Sequence, residues 1–248
     1  MKNLLFFVVF LSFFLLIKIE IVDGKEIFIS GTEWEPYTGE HLLNKGFLAE
    51  ITVEAFKKVG YDVTVKLIPW IRAIEETKIG KFHALIGASY TEDRTNYFAY
   101  PKYAWENYMH IFTQNDKDMT YTTLEKLCPG KVGLLRGSYL VERIRKNVNC
   151  LKIEEANTVL SNIEKLIAKR INYMIDSKDS VYFYINTDLK EKKNMVKIIY
   201  PPLELDKVYT VISKNIPNYE TILNDYEKGI ELIKQDGTYQ KILEKHGY

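Results

Sequence analysis

Hydrophobic and polar positions change period several times along the chain, and each change predicts an element. From Lys25 to Ser30 the residues alternate, with Ile27 and Ile29 on one side, which predicts a first strand. From Gly46 to Val59 the spacing turns helical: Phe47, Leu48, Ile51, Ala55, Phe56 and Val59 form one stripe that stops at Gly60. Val63, Val65 and Leu67 alternate again in a second strand, Asp62 to Leu67. Pro69 and Trp70 then open a helix that runs through Ile79 and closes at Gly80. Ala84, Leu85 and Ile86 are a short apolar run bounded by glycines, the pattern of a buried strand. Strand, helix, strand, helix, strand is a βαβ alternation, and it implies a parallel sheet covered by helices.

The alternation then repeats. Tyr108 to Phe112 predicts a strand, and the polar run Thr113 to Asp118 reads as the first crossing into a second lobe. Leu124 to Leu127 is a short helix, Lys131 to Leu135 a strand, and a helix follows to about Lys146. Leu151 to Ile153 is a strand, Ser161 to Glu164 has a capping-box pattern with a helix to Arg170, and Asn172 to Ile175 is a buried strand. Val196 to Tyr200 predicts a strand that Pro201 and Pro202 break, and Lys207 to Ser213 reads as the second crossing. Tyr219 to Gln235 carries Ile222, Leu223, Tyr226, Ile230 and Ile233 on one helical face.

Composition narrows the function classes. The 248 residues suffice for one large domain or two small lobes, and a net charge of +1 gives no reason to expect a nucleic-acid partner. Lys2 precedes an apolar run, Leu4 to Ile17, whose length matches the core of an export signal and is short for a membrane span. Val22-Asp23-Gly24 is the best local cleavage candidate, so residues 1–24 are expected to be a signal peptide, with a retained anchor as the alternative. No cysteine follows the run, which argues against a lipoprotein anchor, and no later stretch is apolar enough to cross a membrane. Export permits a disulfide between Cys128 and Cys150; the alternative is two buried thiols. His41, His83, His110 and His246 are scattered, so neither a metal site nor a cofactor is expected.

The candidate chemistry gathers between Gly80 and Arg94. After the apolar run come Ser89 and Thr91, then two acids, then Arg94. A hydroxyl followed by acids predicts a helix start, whose free N–H groups attract anions. Arg94 adds a planar fork for a carboxylate, or it is a surface arginine. Ligands on parallel sheets gather at the C-terminal strand ends. The loops after Ser30, Leu67 and Ile86 share that edge, so Trp34, Trp70, Ser89 and Arg94 are expected to converge. Trp34 and Tyr37 either fold onto the core or wall a cleft.

Gly-x-x-x-Ala-x-Ile-Gly-x-Ser-x-Thr-x-x-Arg, residues 80–94, resembles a segment of the family 3 periplasmic solute-binding proteins of the polar amino-acid type. His83 stands where that family usually has Asp. Four further stretches are similar in the same order: the loop at Trp34, Trp70-Ile71-Arg72-Ala73, Val132 to Ser138, and Asp236-Gly237-Thr238-Tyr239. The resemblance runs from about Lys25 to Tyr248. It implies a two-lobed α/β periplasmic-binding-protein fold of type II, each lobe a central sheet flanked by helices, with two crossing hinge strands. Lobe one would be 25–114 plus 207–248 and lobe two 115–206.

The resemblance also implies roles. Ser89 and Arg94 would hold a ligand carboxylate, Ser138 would complete that site, and Trp34 and Trp70 would cover the ligand. Asp176 would pair with an ammonium, although the acid's register also admits Ser177. Asp176 alternatively caps the following helix. Arg72 would reach the ligand or point to solvent. Arg94 with Asp176 suits a zwitterion, while Arg72 and Arg136 would favour an acidic ligand and the aromatic walls a cationic one. The implied protein is a monomeric, non-enzymatic receptor outside the cytoplasm, serving the membrane permease of an ABC importer. Two alternatives stay open. One is a dehydratase on the same fold using Glu33, Glu35 or Asp176 as acid or base; the other is a sensor or adaptor without transport.

Overall fold

A computed structural model of the protein describes residues 25–114 and 123–248 together with Thr120. The expected signal segment, 1–24, and positions 115–118 of the expected crossing lie outside the described residues.

The first half is built from β1 (Lys25–Gly31), α1 (Phe47–Lys58), β2 (Tyr61–Leu67), α2 (Trp70–Lys78) and β3 (Ala84–Ser89). β1 lies between β2 and β3, parallel to both. Ile27 and Ile29 of β1 and the α1 stripe enter one cluster with Tyr37, Tyr226, Ile230 and Ile233. The period-two and period-3.6 patterns predicted these faces because each element buries only one side.

Next come β4 (Phe98–Ala99) and β5 (Trp105–Gln114). The second half has β6 (Lys131–Leu135), α3 (Tyr139–Asn147), β7 (Lys152–Ala156), α4 (Val159–Ile167), β8 (Tyr173–Ser177) and α5 (Lys178–Thr187). β6 is parallel to β7 and β8. β9 (Val196–Ser213), α6 (Tyr219–Gln235) and α7 (Thr238–Lys245) complete the chain. Among the described residues the strands form one nine-stranded sheet, β2-β1-β3-β9-β5-β8-β6-β7, with β4 also on β9. The two parallel sets are therefore joined through β9 and β5, which run antiparallel to each other.

Several local expectations change. Val196 to Ser213 is one strand despite Pro201 and Pro202. Its pairing with β5 shifts between Met109 and Ile111, and the prolines sit in that irregularity, where no ladder N–H is required. Thr113 and Gln114 belong to β5 and are buried. The Gln114 amide donates to the carbonyls of Leu166 at 3.0 Å and Ile171 at 2.8 Å, which is how a polar residue ends a buried strand. Thr158, not Ser161, caps α4: its Oγ1 accepts the Ser161 N–H at 3.1 Å.

Cys128 and Cys150 form a disulfide with Cα atoms 5.5 Å apart, fastening the start of β6 to the end of α3. Intact mass should be two hydrogens below that of the reduced chain. Reduction is expected to cost about 3 kcal/mol for a loop of this size. That is a fall of roughly 6–12 °C in melting temperature, measured with and without reductant. An unchanged melting temperature would mean that the bond constrains nothing.

Candidate functional site

The loop after β1, the start of α2 and the end of β3 meet the turn after β6 and the end of β8. Between them lies a cavity of about 60 Å³ lined by Trp34, Trp70, Ser89, Arg94, Ser138 and Asp176. Strand direction explains the meeting: every one of these residues except Arg94 lies at or just beyond the C-terminal end of a parallel strand or opens the helix that follows it.

Arg94 stands at the seam of the two halves. Its Nη1 donates to the Ser89 carbonyl at 3.0 Å and its Nη2 to the Gly137 carbonyl at 3.3 Å. Its guanidinium lies 5.7 Å from the Trp70 ring. Burial lowers its pKa, because the charged form gives up water. Trp70 Nε1 also donates to the Gly137 carbonyl, at 3.2 Å. Gly137 has φ +72°, and a Cβ there would meet Ile71 Cγ1 at 2.8 Å, so the turn needs glycine to approach α2. The helix expected after Thr91 is only a 3₁₀ turn, Asp93–Asn96. The Thr91 hydroxyl accepts the Arg94 N–H at 3.2 Å.

On the second half, Asp176 is buried at the end of β8 and accepts from Trp34 Nε1 at 3.3 Å and from the Ser177 N–H at 2.8 Å. Burial raises its carboxyl to about 6, although both bonds favour the charged form. Asp176 lines the cavity, whereas Ser177 caps α5 through its Oγ and the Ser180 N–H at 3.1 Å. The capping role is therefore Ser177's. The Ser138 Oγ is buried without a hydrogen-bond partner among the described residues. A buried hydroxyl in that state is poised for a polar group in the cavity.

Arg72 is corrected. Its side chain is 63% exposed and pairs with Glu76 at 2.6 Å, one turn along α2. Two residues along a helix turn the side chain by about 200°, so Trp70 facing the cavity sends Arg72 outward. Of the acids considered for catalysis, Asp176 lines the cavity, while Glu35 is bonded to the Tyr184 hydroxyl. His83, at the position of the missing acid, accepts the Phe28 N–H on Nδ1 at 3.0 Å.

Sequence reasoning missed Asp206. This buried residue of β9 lines the cavity and accepts the Ser89 hydroxyl at 2.8 Å. Burial raises its carboxyl to about 6, against the pull of Ser89 and Arg94. The available signal was a strand extending upstream of Lys207, hidden by the two prolines. Tyr139 also lines the cavity, and its hydroxyl donates to Glu204 at 2.7 Å. Past Arg94, Ser138 and Tyr139 the cavity adjoins an outer cleft of about 290 Å³ that includes Ile71, Glu75 and Glu142.

A carboxyl with a raised folded-state pKa contributes full stability below its unfolded pKa and loses it as pH climbs to the folded one. Both aspartates rise from 3.8 to about 6. The unliganded protein should therefore lose stability relative to Asp206→Asn between about pH 4 and pH 6. Thermal melts across that range check this; parallel curves would contradict it.

The model of the bacterial extracellular solute-binding proteins, family 3, matches residues 29–248. A search of curated protein sequences finds no significant match. Among solved structures, an ancestral arginine-binding protein bound to arginine is 24% identical, with a TM-score of 0.75, covering 90% of this chain and 98% of that one. A histidine kinase sensor domain with similarity to periplasmic binding proteins is 19% identical, TM-score 0.77, with 90% and 96% covered. The amino acid ABC transporter substrate-binding protein AbpA from Streptococcus pneumoniae, bound to L-arginine, is 13% identical, TM-score 0.75, with 89% and 94% covered. At these identities the likeness concerns the fold.

Proposed function

The chain belongs to the bacterial extracellular solute-binding proteins, family 3, and from that premise we propose that it captures a small carboxylate-bearing ligand, an amino acid, by hinge closure. Lobe one is 25–114 with 207–248, lobe two is 115–206, and β5 and β9 carry the hinge. The observation that carries the reading is the mixed origin of the cavity: Arg94 and Ser89 come from one half, Asp176 and the unpartnered Ser138 hydroxyl from the other.

Ligand docks on Arg94 and Ser89, with Trp34 and Trp70 over its apolar part. Closing then brings Ser138 and Asp176 to it and excludes water, which strengthens the charge-assisted bonds. The protein acts outside the cytoplasm after loss of residues 1–24, and the closed form is presented to the permease of an ABC importer. A second reading is favoured by the sensor-domain likeness: the same closure signals to a receptor instead.

A thermal-shift screen of amino acids and small organic acids tests the binding step. A cognate ligand at about 100 times its Kd adds about 2.7 kcal/mol of stability. No shift with any of them would remove the proposal. Uptake of that ligand in cells lacking the protein separates import from signalling.

A further inference from the structure

The charge inside the cavity does not balance. Among the described residues, its charged lining groups are Arg94, Asp176 and Asp206, one cation against two carboxylates. Arg94 is not idle: two main-chain carbonyls already take its N–H groups, and its ring contact is with Trp70. Asp206 occupies the Ser89 hydroxyl that a ligand carboxylate would otherwise use. Nearby Arg143 adds no cation to the cavity, since it is paired with Glu204, which also accepts the Tyr139 hydroxyl.

A zwitterion brings no net charge. Enclosing it would leave one buried carboxylate without a countercharge, and an uncompensated buried charge is costly. A ligand with one surplus positive charge closes the balance. Discrimination then arises from what the wrong ligand leaves unpaired.

Resting on the reading of this cavity as an amino-acid site, we propose that Asp206 is a specificity-determining residue that makes the protein select amino acids of net charge +1 over their neutral isosteres. The surplus cationic nitrogen pairs with Asp206 and frees the Ser89 hydroxyl for the ligand carboxylate. A side chain longer than the inner chamber extends past Tyr139 into the outer cleft.

The test is calorimetric binding at pH 7.5 of two pairs matched in shape, arginine against citrulline and ornithine against norleucine. Wild type should bind the charged member of each pair at least tenfold more tightly. Asp206→Asn should reduce both ratios at least tenfold, mainly by weakening the charged member, and Asp206→Glu should restore part of the preference. Equal affinity within both pairs for the wild type overturns the inference and leaves the amino-acid reading standing. Binding of none of the four overturns the inference, and the amino-acid reading falls with it only if the wider thermal-shift screen is also silent. The wild-type comparison needs no variant, so poor folding of Asp206→Asn does not shelter the claim. Unchanged ratios in a folded Asp206→Asn, by its melting curve, would also overturn it.

Discussion

Replacement of Arg94 by alanine is expected to abolish most of the ligand stabilisation, weakening binding by about 30-fold or more. Removing one partner of a buried charge-assisted pair costs roughly 2–5 kcal/mol, and each 1.4 kcal/mol is tenfold. Here the lost partner is a planar fork whose Nη1 and Nη2 already reach carbonyls of the two halves. Lysine at this position keeps the charge and loses the fork, so Arg94→Lys should fall between the two. Calorimetry with the best ligand from the screen measures the loss. The unliganded protein should still fold, because Arg94 lines the cavity and its side chain bonds two carbonyls there rather than packing in the apolar core. Undiminished binding by a folded Arg94→Ala would sink the carboxylate role. Failure to fold would mark Arg94 as structural.

Phe47→Ala should produce the largest loss of stability, about 3–5 kcal/mol, as for other fully buried aromatic side chains cut to alanine. Phe47 opens α1 and is 0% exposed. Its ring centroid lies 4.5 Å from that of Tyr248, 4.8 Å from Trp105 and 5.6 Å from Tyr37. Tyr37 in turn packs against Trp34 with ring centroids 4.1 Å apart, so the void left by Phe47→Ala would loosen the loop that walls the site. Urea unfolding measures the change as a lower midpoint at similar slope. Ile71→Ala, on an exposed residue, serves as the control and should shift by no more than about 0.5 kcal/mol. A Phe47→Ala change no larger than the control's would mean that the ring cluster does not hold the first half together.

Both effects were legible to different degrees before any coordinates. Phe47 declared itself through the helical stripe it starts, since burial of one face follows from period alone. Arg94 was visible because an arginine follows a strand end that carries hydroxyls. Asp206 was not. Its neighbours Pro201 and Pro202 read as a break, and only pairing with β5 reveals that a strand passes through them. Arg72 shows the opposite error. It sits two residues from Trp70 in a family-like stretch, yet helical rotation turns it to Glu76.

By itself the sequence determined the strand and helix faces, the parallel order within each half, the two cysteines available to pair, and the gathering of Trp34, Trp70, Ser89 and Arg94 at the strand ends, whereas Ser138 and Asp176 came from the family resemblance. These are local or periodic properties, and backbone geometry converts them directly into directions. Tertiary structure alone decided that β9 is continuous, that Asp206 enters the cavity and that Arg72 leaves it. It also decided the charge imbalance. Such facts depend on which segments distant in the chain pair across the sheet, and no period or spacing carries that information.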